Sequence, residues 1–548
     1  MRIHAPFVRT ALAALACSAL LSTVACSSGP KAGEEGAYWG ARLENEDARE
    51  RDRALNKLAE LKPEEAKQAL PNLYKALKSK NKDVRPKSAK LIGKLGDASS
   101  VQPLIDGIDM DARSTATPDD KAAAVANERI AKALGRLAPA GDEKVAKSLS
   151  RLISLPQLEV QLAAVQALGK MKAKGAVEDL IYVADAHDNN FMVKNAIIAL
   201  GDIGDPAAVE VLIKNMFFER GVSFYIESSY SLFQIGKPAV DDLIKLYNNQ
   251  YEAIEKFHVE KGVQKAKAIQ VLIDIGGDPR IEKLILDAAK IPPNDTANSL
   301  ARVFGQQQVG RLGLQAGKAT LLTKWDDIDQ SKSEHSLNGL VQLGAKDKAA
   351  QLLAMTTFDG FVAQCMALDK RNKKSTCEAA SSQVRPARVL PLSRLAPGSM
   401  LKDFEGMLKL EKDRLAAEKD AKKQAGIKKL IKAIEEGKKR VEAAAACDGK
   451  GKDCWMKMAE DKDAFKRERA GYELLWMNDK ATAEVQRKLV VDKDNEVRFT
   501  GILYVWRSLD KEALAPIQKA LKEEKGKAQY VRINQDLRRL EVKLQRGY

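Results

Sequence analysis

The stretch Ala199–Ile213, ALGDIGDPAAVEVLI, sets two glycines, two aspartates and a proline between two apolar runs. Such a loop can cradle a phosphate, bind a cation or turn one helix into the next. The rest of the chain decides among the three. Related stretches are LIGKLGDASSVQPLI from Leu91, ALGKMKAKGAVEDLI from Ala167, LFQIGKPAVDDLI from Leu232, VLIDIGGDPRIEKLI from Val271 and GLVQLGAKDKAAQLL from Gly339. In each, an apolar residue closes one amphipathic run and a second run with Leu/Ile at helical spacing follows a short loop.

The closing residues are Leu95, Leu137, Met171, Ile203, Ile235, Ile275 and Leu343, spaced by 42, 34, 32, 32, 40 and 68. A degenerate copy near Leu312 fills the last interval. Two helices every 30 to 40 residues is the period of an α-solenoid. The aspartates do not recur: the places of Asp202 and Asp205 hold Lys94 and Asp97, Lys170 and Ala173, and Gln234 and Lys237. The loop therefore reads as a turn, with Gly204 at a helix C-terminus in positive φ, Asp205 as the next N-cap and Pro206 in the next first turn.

This pattern resembles the HEAT family, and within it the short phycobilisome-lyase-like repeats, over roughly residues 52–353 and again in the C-terminal stretch that contains Met477 and Leu509. The resemblance implies an all-α fold, an α-solenoid of HEAT-like repeats with about ten helix pairs. The family includes phycobilin lyases and a group of DNA glycosylases, so the fold alone licenses no activity. The expected organisation is a signal segment over 1–25, a tether over 26–50, a repeat array over 51–355, a degenerate repeat over 356–400, a charged helical hairpin inserted over 401–462, and C-terminal repeats over 463–548. In the hairpin, Leu401, Phe404, Leu408 and Leu415 form one stripe and Ile427, Leu430, Ile431, Ile434 and Val441 another, with Gly426 between.

The N-terminus MRIHAPFVRTALAALACSALLSTVACSSGP has a basic start and an apolar run from Thr10 to Leu21, too short to span a bilayer, which is the pattern of a secretory signal. TVAC at Thr23–Cys26 resembles a bacterial lipobox with Thr23 where Leu is usual. The resemblance implies lipidation of Cys26, and Ser27 after it implies an outer-membrane address facing the periplasm or the cell surface. Export also argues against the lyase and glycosylase activities, whose substrates lie inside the cell.

Four further cysteines form two close pairs, Cys365 with Cys377 and Cys447 with Cys454, each around a Lys-rich loop. In an exported chain these read as two local disulfides. The rival, a four-cysteine zinc site, needs ligands two to four residues apart, whereas the two pairs are separated by 70 residues. His187, His258 and His335 stand in different repeats without a partner at ligand or triad spacing. GLQAGKAT from Gly313 departs from a phosphate loop at Leu312 and Ala319. No catalytic, cofactor-binding or metal-ligating set emerges, so no enzyme activity and no cofactor are expected.

The 548 residues carry 91 Lys and Arg against 75 Asp and Glu, a net +16 spread over a large surface. Glu411–Arg440 holds a net +5 without interleaved aromatics, which disfavours nucleic acid and suits a solvated helical face. The expected function is a non-catalytic protein-binding scaffold or assembly factor, anchored by its N-terminal lipid and offering the concave face of the solenoid to a protein partner. The alternative is a binder of anionic envelope polymer, lipopolysaccharide or extracellular DNA, through Lys-rich faces.

Overall fold

A computed structural model describes residues 29–218, 221–292, 294–322, 330–368, 372–523 and 531–546, with the side chains of 330–335, 368, 531 and 532 excepted. The signal segment 1–25 and Cys26 lie outside the described residues. Every regular element among the described residues is helical. The chain divides into two compact units, Met1–Ser231 and Leu232–Tyr548.

In the N-terminal unit the long helices α1 (Ala48–Glu60), α2 (Val84–Leu95), α3 (Pro118–Leu137), α4 (Leu158–Lys170) and α5 (Asn190–Ile203) form a row. The densest packing runs from α2 to α3, α3 to α4 and α4 to α5. A shorter helix follows each of α2 to α5, as Val209–Asn215 follows α5. The start of α5 is fixed by Asn189, whose side-chain oxygen accepts the backbone N–H of Phe191 at 2.8 Å and of Met192 at 3.3 Å. Its end is fixed by Gly204 at φ 74°, where a side chain would clash with the backbone. Asp205 then accepts the N–H of Ala207 at 3.0 Å, and Pro206 opens a 3₁₀ turn into Val209–Asn215. The opening stretch is thus a turn, and the Asp205 carboxylate serves the backbone.

The other recurring glycine, the one in each "LG", sets how closely the row packs. A Cβ on Gly135 would lie 2.7 Å from Ala167 Cα, and one on Gly169 would lie 2.9 Å from Ala199 Cα. Backbones touch there, and the apolar residues beside them are sealed: Leu134, Leu168 and Leu200 are fully buried, each contributing roughly 2 kcal/mol relative to exposure.

The tether expected over 26–50 is shorter in the structure. Glu35–Gly40 is helical, Trp39 is buried and Leu43 is fully so. The cause is small side chains: Gly36 and Gly40 let this turn press onto the backbone of Glu65 and the Cβ of Ala69.

The C-terminal unit continues the pattern with α6 (Lys261–Ile275), α7 (Ser299–Arg311), α8 (Gln330–Leu343), α9 (Lys374–Leu395), α10 (Leu401–Ala417), α11 (Ala421–Cys447), α12 (Ala464–Met477), α13 (Asn495–Ser508) and α14 (Val531–Arg546). Helices α10 and α11 pack as the expected charged pair, and α11 also packs on both α9 and α12, so the pair lies within the row. The break between the two apolar stripes is at 418–420, where Asp420 caps α11 by accepting the N–H of Lys423 at 2.9 Å. Gly426, expected to separate the stripes, sits inside α11; a Cβ there would meet Ser382 Oγ at 2.8 Å, so this glycine is a close contact with α9. The Sγ atoms of Cys365 and Cys377, and of Cys447 and Cys454, are at bonding distance, with Cα separations of 5.8 and 5.5 Å.

The row in this unit turns back on itself. Arg311 of α7 pairs with Asp536 of α14 at 2.5 Å, and Arg539 of α14 donates to Asp274 of α6 at 2.6 Å. Arg507 of α13 donates to the carbonyls of Gly310 and Gln342 at 2.7 and 2.8 Å, so the ends of α7 and α8 share one guanidinium.

Candidate functional site: a basic groove on stacked repeat helices

In the N-terminal unit α1, α2 and α3 enclose a groove of about 590 Å³. Its floor is apolar, built from Leu55, Ala89, Leu91 and Ala133. Its walls carry Lys87, Lys90 and Lys94 from α2 and Arg129, Lys132 and Arg136 from α3. Within each helix the cations follow at intervals of three and then four residues, so they share one face. Each cation of α3 stands 42 residues after its counterpart in α2, which is the repeat spacing at that point, so neighbouring repeats present the same ladder. The next repeat holds Ala163, Gln166 and Lys170 in those places, and the charge fades.

Electrostatic pairing covers half of the ladder. Lys87 pairs with Asp52, Lys132 with Glu128, and Arg129 with Glu128 at 3.8 Å. The hydrogen bond from Lys87 and its charge hold the Asp52 carboxyl below its usual range. Lys90, Lys94 and Arg136 are exposed and make no ion pair among the described residues. Among the described residues no carboxylate lines the groove. Three uncompensated cations over an apolar floor make a surface for an anionic group attached to an apolar one.

A second concentration of charge lies in the C-terminal unit and is buried. Arg394 donates to Glu468 at 2.6 Å and to Glu496 at 2.7 Å, while Arg440 reaches the other oxygen of Glu468 at 2.7 Å. Arg385 pairs with Glu411 at 2.6 Å, both without solvent exposure. Burial by itself would raise the Glu468 carboxyl, but Arg394 and Arg440 override it and hold the group below its ordinary value. Burial pushes the Tyr472 phenol up to about 12, so it stays protonated at neutral pH. A carboxylate locked in its ionised form and a protonated phenol make a structural ion-pair network; neither is poised for proton transfer near pH 7.

The sequence singled out other residues. Among the described residues no group of three His, Cys, Asp or Glu is placed to hold a metal ion. His187 accepts the N–H of Asn189 at 3.0 Å, a local turn contact. His258 ends a 3₁₀ segment in the left-handed region at φ 51°, and the side chain of His335 lies outside the described residues. The Lys-rich pair α10–α11 spends much of its charge on itself, through Lys412–Glu435 at 3.1 Å and Lys438–Glu405 at 3.1 Å. The groove cations were missed because each was read singly; their common spacing across two repeats was the available signal.

A family model for HEAT repeats matches residues 37–118 and 145–216, which takes in α1, α2, α4 and α5 and leaves α3 between the two matched segments. No curated protein matches the chain. Among solved structures it is similar to importin beta at 10% identity, covering 94% of this chain and 77% of that one with a TM-score of 0.42. It is similar to Kap95p in a structure concerned with RanGDP at 11% identity, covering 92% and 74% with a TM-score of 0.38. An engineered protein is similar at 16% identity, covering 87% and 99% with a TM-score of 0.25. The chain is an all-α solenoid that contains HEAT repeats.

Proposed function

We propose that the protein is a non-catalytic scaffold whose N-terminal groove holds an acidic, amphipathic segment of a protein partner. The observation that carries this reading is the cation ladder of α2 and α3 over its apolar floor, with Lys90, Lys94 and Arg136 unpaired among the described residues. The apolar contact area, supplied by exposed Ala59 and the methylene stems of the wall cations above the buried Leu55, Leu91 and Ala133, favours a protein segment over a bare anionic polymer, which has no apolar group to place there. The signal-like residues 1–25 and the lipobox-like TVAC support export and lipid anchoring at Cys26, which would set the scaffold on the outer membrane.

The test is a fluorescence titration with three ligands: an amphipathic Glu/Leu helical peptide, polyglutamate, and lipopolysaccharide. The peptide is expected to bind and to keep part of its affinity at high salt, whereas polyglutamate and lipopolysaccharide bind only at low salt. Reversing the three free cations together (Lys90→Glu, Lys94→Glu, Arg136→Glu) removes three exposed pairs, at roughly 0.2–1 kcal/mol each, and adds similar repulsion. Peptide affinity should then fall about a hundredfold. An unchanged affinity in this variant would refute the groove as the docking site. Tighter binding of lipopolysaccharide than of the peptide at physiological salt would favour the envelope-polymer reading.

A further inference from the structure

In the C-terminal unit the largely buried Arg311, Arg394, Arg469 and Arg487 each pair with a carboxylate, of Asp536, Glu468, Glu473 and Asp510 in turn. Arg507 does not. Its Nε donates to the Arg311 carbonyl and its Nη2 to those of Gly310 and Gln342, and among the described residues it makes no ion pair. Burial depresses its pKa, and the influence opposing that fall comes from the Tyr472 phenol, with no carboxylate contributing. A desolvated cation is ordinarily paired, so this one is short of an anion. Its remaining nitrogen, Nη1, keeps accessible surface and has no acceptor among the described residues.

Arg507 lines a pocket of about 640 Å³ where the ends of α7, α8, α12 and α13 meet. The volume is too large for a bare ion and falls among small-molecule sites, which run from about 300 to 1,000 Å³. The other charged residues of its lining are Lys480 and Asp479. Lys480 is exposed and makes no ion pair among the described residues. The Asp479 carboxylate is already satisfied, since Oδ2 accepts from Lys452 at 2.8 Å and Oδ1 from the N–H of Ala481 at 2.9 Å. Half-buried Leu312, Trp476 and Tyr504 add apolar surface.

We propose that this pocket binds a small organic carboxylate, whose oxygen accepts from Arg507 Nη1 and whose apolar body lies against Leu312, Trp476 and Tyr504. A carboxylate supplies the single negative charge that Arg507 lacks. A phosphate dianion brings a second charge and three oxygens that call for several donors, whereas the unpaired cations of the lining are Arg507 and Lys480. No residue of this site belongs to the groove of α2 and α3.

Saturation-transfer NMR on the full chain tests this with 3-phenylpropionate and octanoate, against 3-phenylpropionamide, 3-phenylpropylamine and phenyl phosphate. At least one of the two carboxylates should bind saturably, with the amide about tenfold weaker or more, the phosphate weaker and the amine not bound. Lys480→Glu should weaken the carboxylate about fivefold without changing the melting temperature, because the side chain is exposed. Arg507→Lys should weaken it about tenfold, since the ammonium cannot hold the carbonyls and the ligand together. The triple reversal of Lys90, Lys94 and Arg136 should leave this affinity unchanged. Independently of any variant, the carboxylate should slow hydrogen exchange at the ends of α7, α8, α12 and α13 of the unmodified chain. Absence of saturable binding by both carboxylates, equal binding of the amide or the amine, tighter binding of phenyl phosphate, slowed exchange confined to α2 and α3, or full affinity in both Lys480→Glu and Arg507→Lys would each overturn the assignment.

Discussion

Arg507 offers the sharpest test of the closed C-terminal unit. Its guanidinium reaches three carbonyls, of Gly310 at 2.7 Å, Arg311 at 3.1 Å and Gln342 at 2.8 Å. Burial pushes its pKa down to about 10, which corresponds to a desolvation cost of roughly 3 kcal/mol. Each charge-assisted bond to a carbonyl contributes roughly 1.5–3 kcal/mol, so the three together outweigh that cost by about 1.5–6 kcal/mol. Arg507→Met should therefore destabilise the C-terminal unit by about 1.5–6 kcal/mol in urea unfolding. Hydrogen exchange should localise the effect, with protection falling in α7 and α8 as well as in α13, although α7 precedes Arg507 by 196 residues at the nearest bond. Arg507→Lys should recover only part of the loss, because an ammonium cannot span three acceptors as the planar fork does. A change below about 0.5 kcal/mol, or loss of protection confined to α13, would refute the view that this side chain holds the row closed.

Lys543 donates to the Ile275 carbonyl at 2.9 Å, and burial pushes its pKa down to about 8, with Asp274 opposing that fall and Arg311 adding to it. The unfolded chain keeps this proton up to the ordinary lysine value of 10.5, so between about 8 and that value it binds more protons than the folded chain and stability rises with pH. The unmodified protein should gain relative to Lys543→Met across this window, by up to about 1.4 kcal/mol per pH unit; parallel pH profiles would count against the burial of a neutral amine. Gly169→Val would drive a branched side chain into Ala199, whose Cα lies 2.9 Å from even a plain Cβ. A loss of about 1–3 kcal/mol in thermal unfolding is expected, and an unaltered melting temperature would mean that α4 and α5 are not in backbone contact. Cys26→Ser should shift the protein from the membrane to the soluble fraction, whereas continued sedimentation with membranes would argue against the acyl anchor.

The turn at Gly204 was legible because it depends on neighbours in sequence. A positive φ, an N-cap carboxylate that accepts the N–H two residues on and a proline in the next turn are all local events. The stripe of α11 was legible for the same reason, and Ile427, Leu430 and Ile434 are buried as their spacing requires; in α10 the buried face is Phe404, Met407 and Glu411, and Leu401, Leu408 and Leu415 of the expected stripe are only half-buried. The misplaced break at Gly426 shows the limit: a glycine reads alike whether it ends a helix or admits a neighbour, and only α9 lying against it decides.

The sequence by itself determined the repeat, its turns and the cation ladder, since helical periodicity and repeat spacing are properties of the chain in order. The tertiary structure alone decided which charges are buried and where the row closes. Arg394 and Glu468 are 74 residues apart, and Arg539 and Asp274 are 265 apart. A charged residue in isolation reads as solvated, and only a partner brought from far along the chain makes its burial tolerable. The pocket beside Arg507 exists for the same reason, because the ends of α7, α8, α12 and α13 must meet before it has walls.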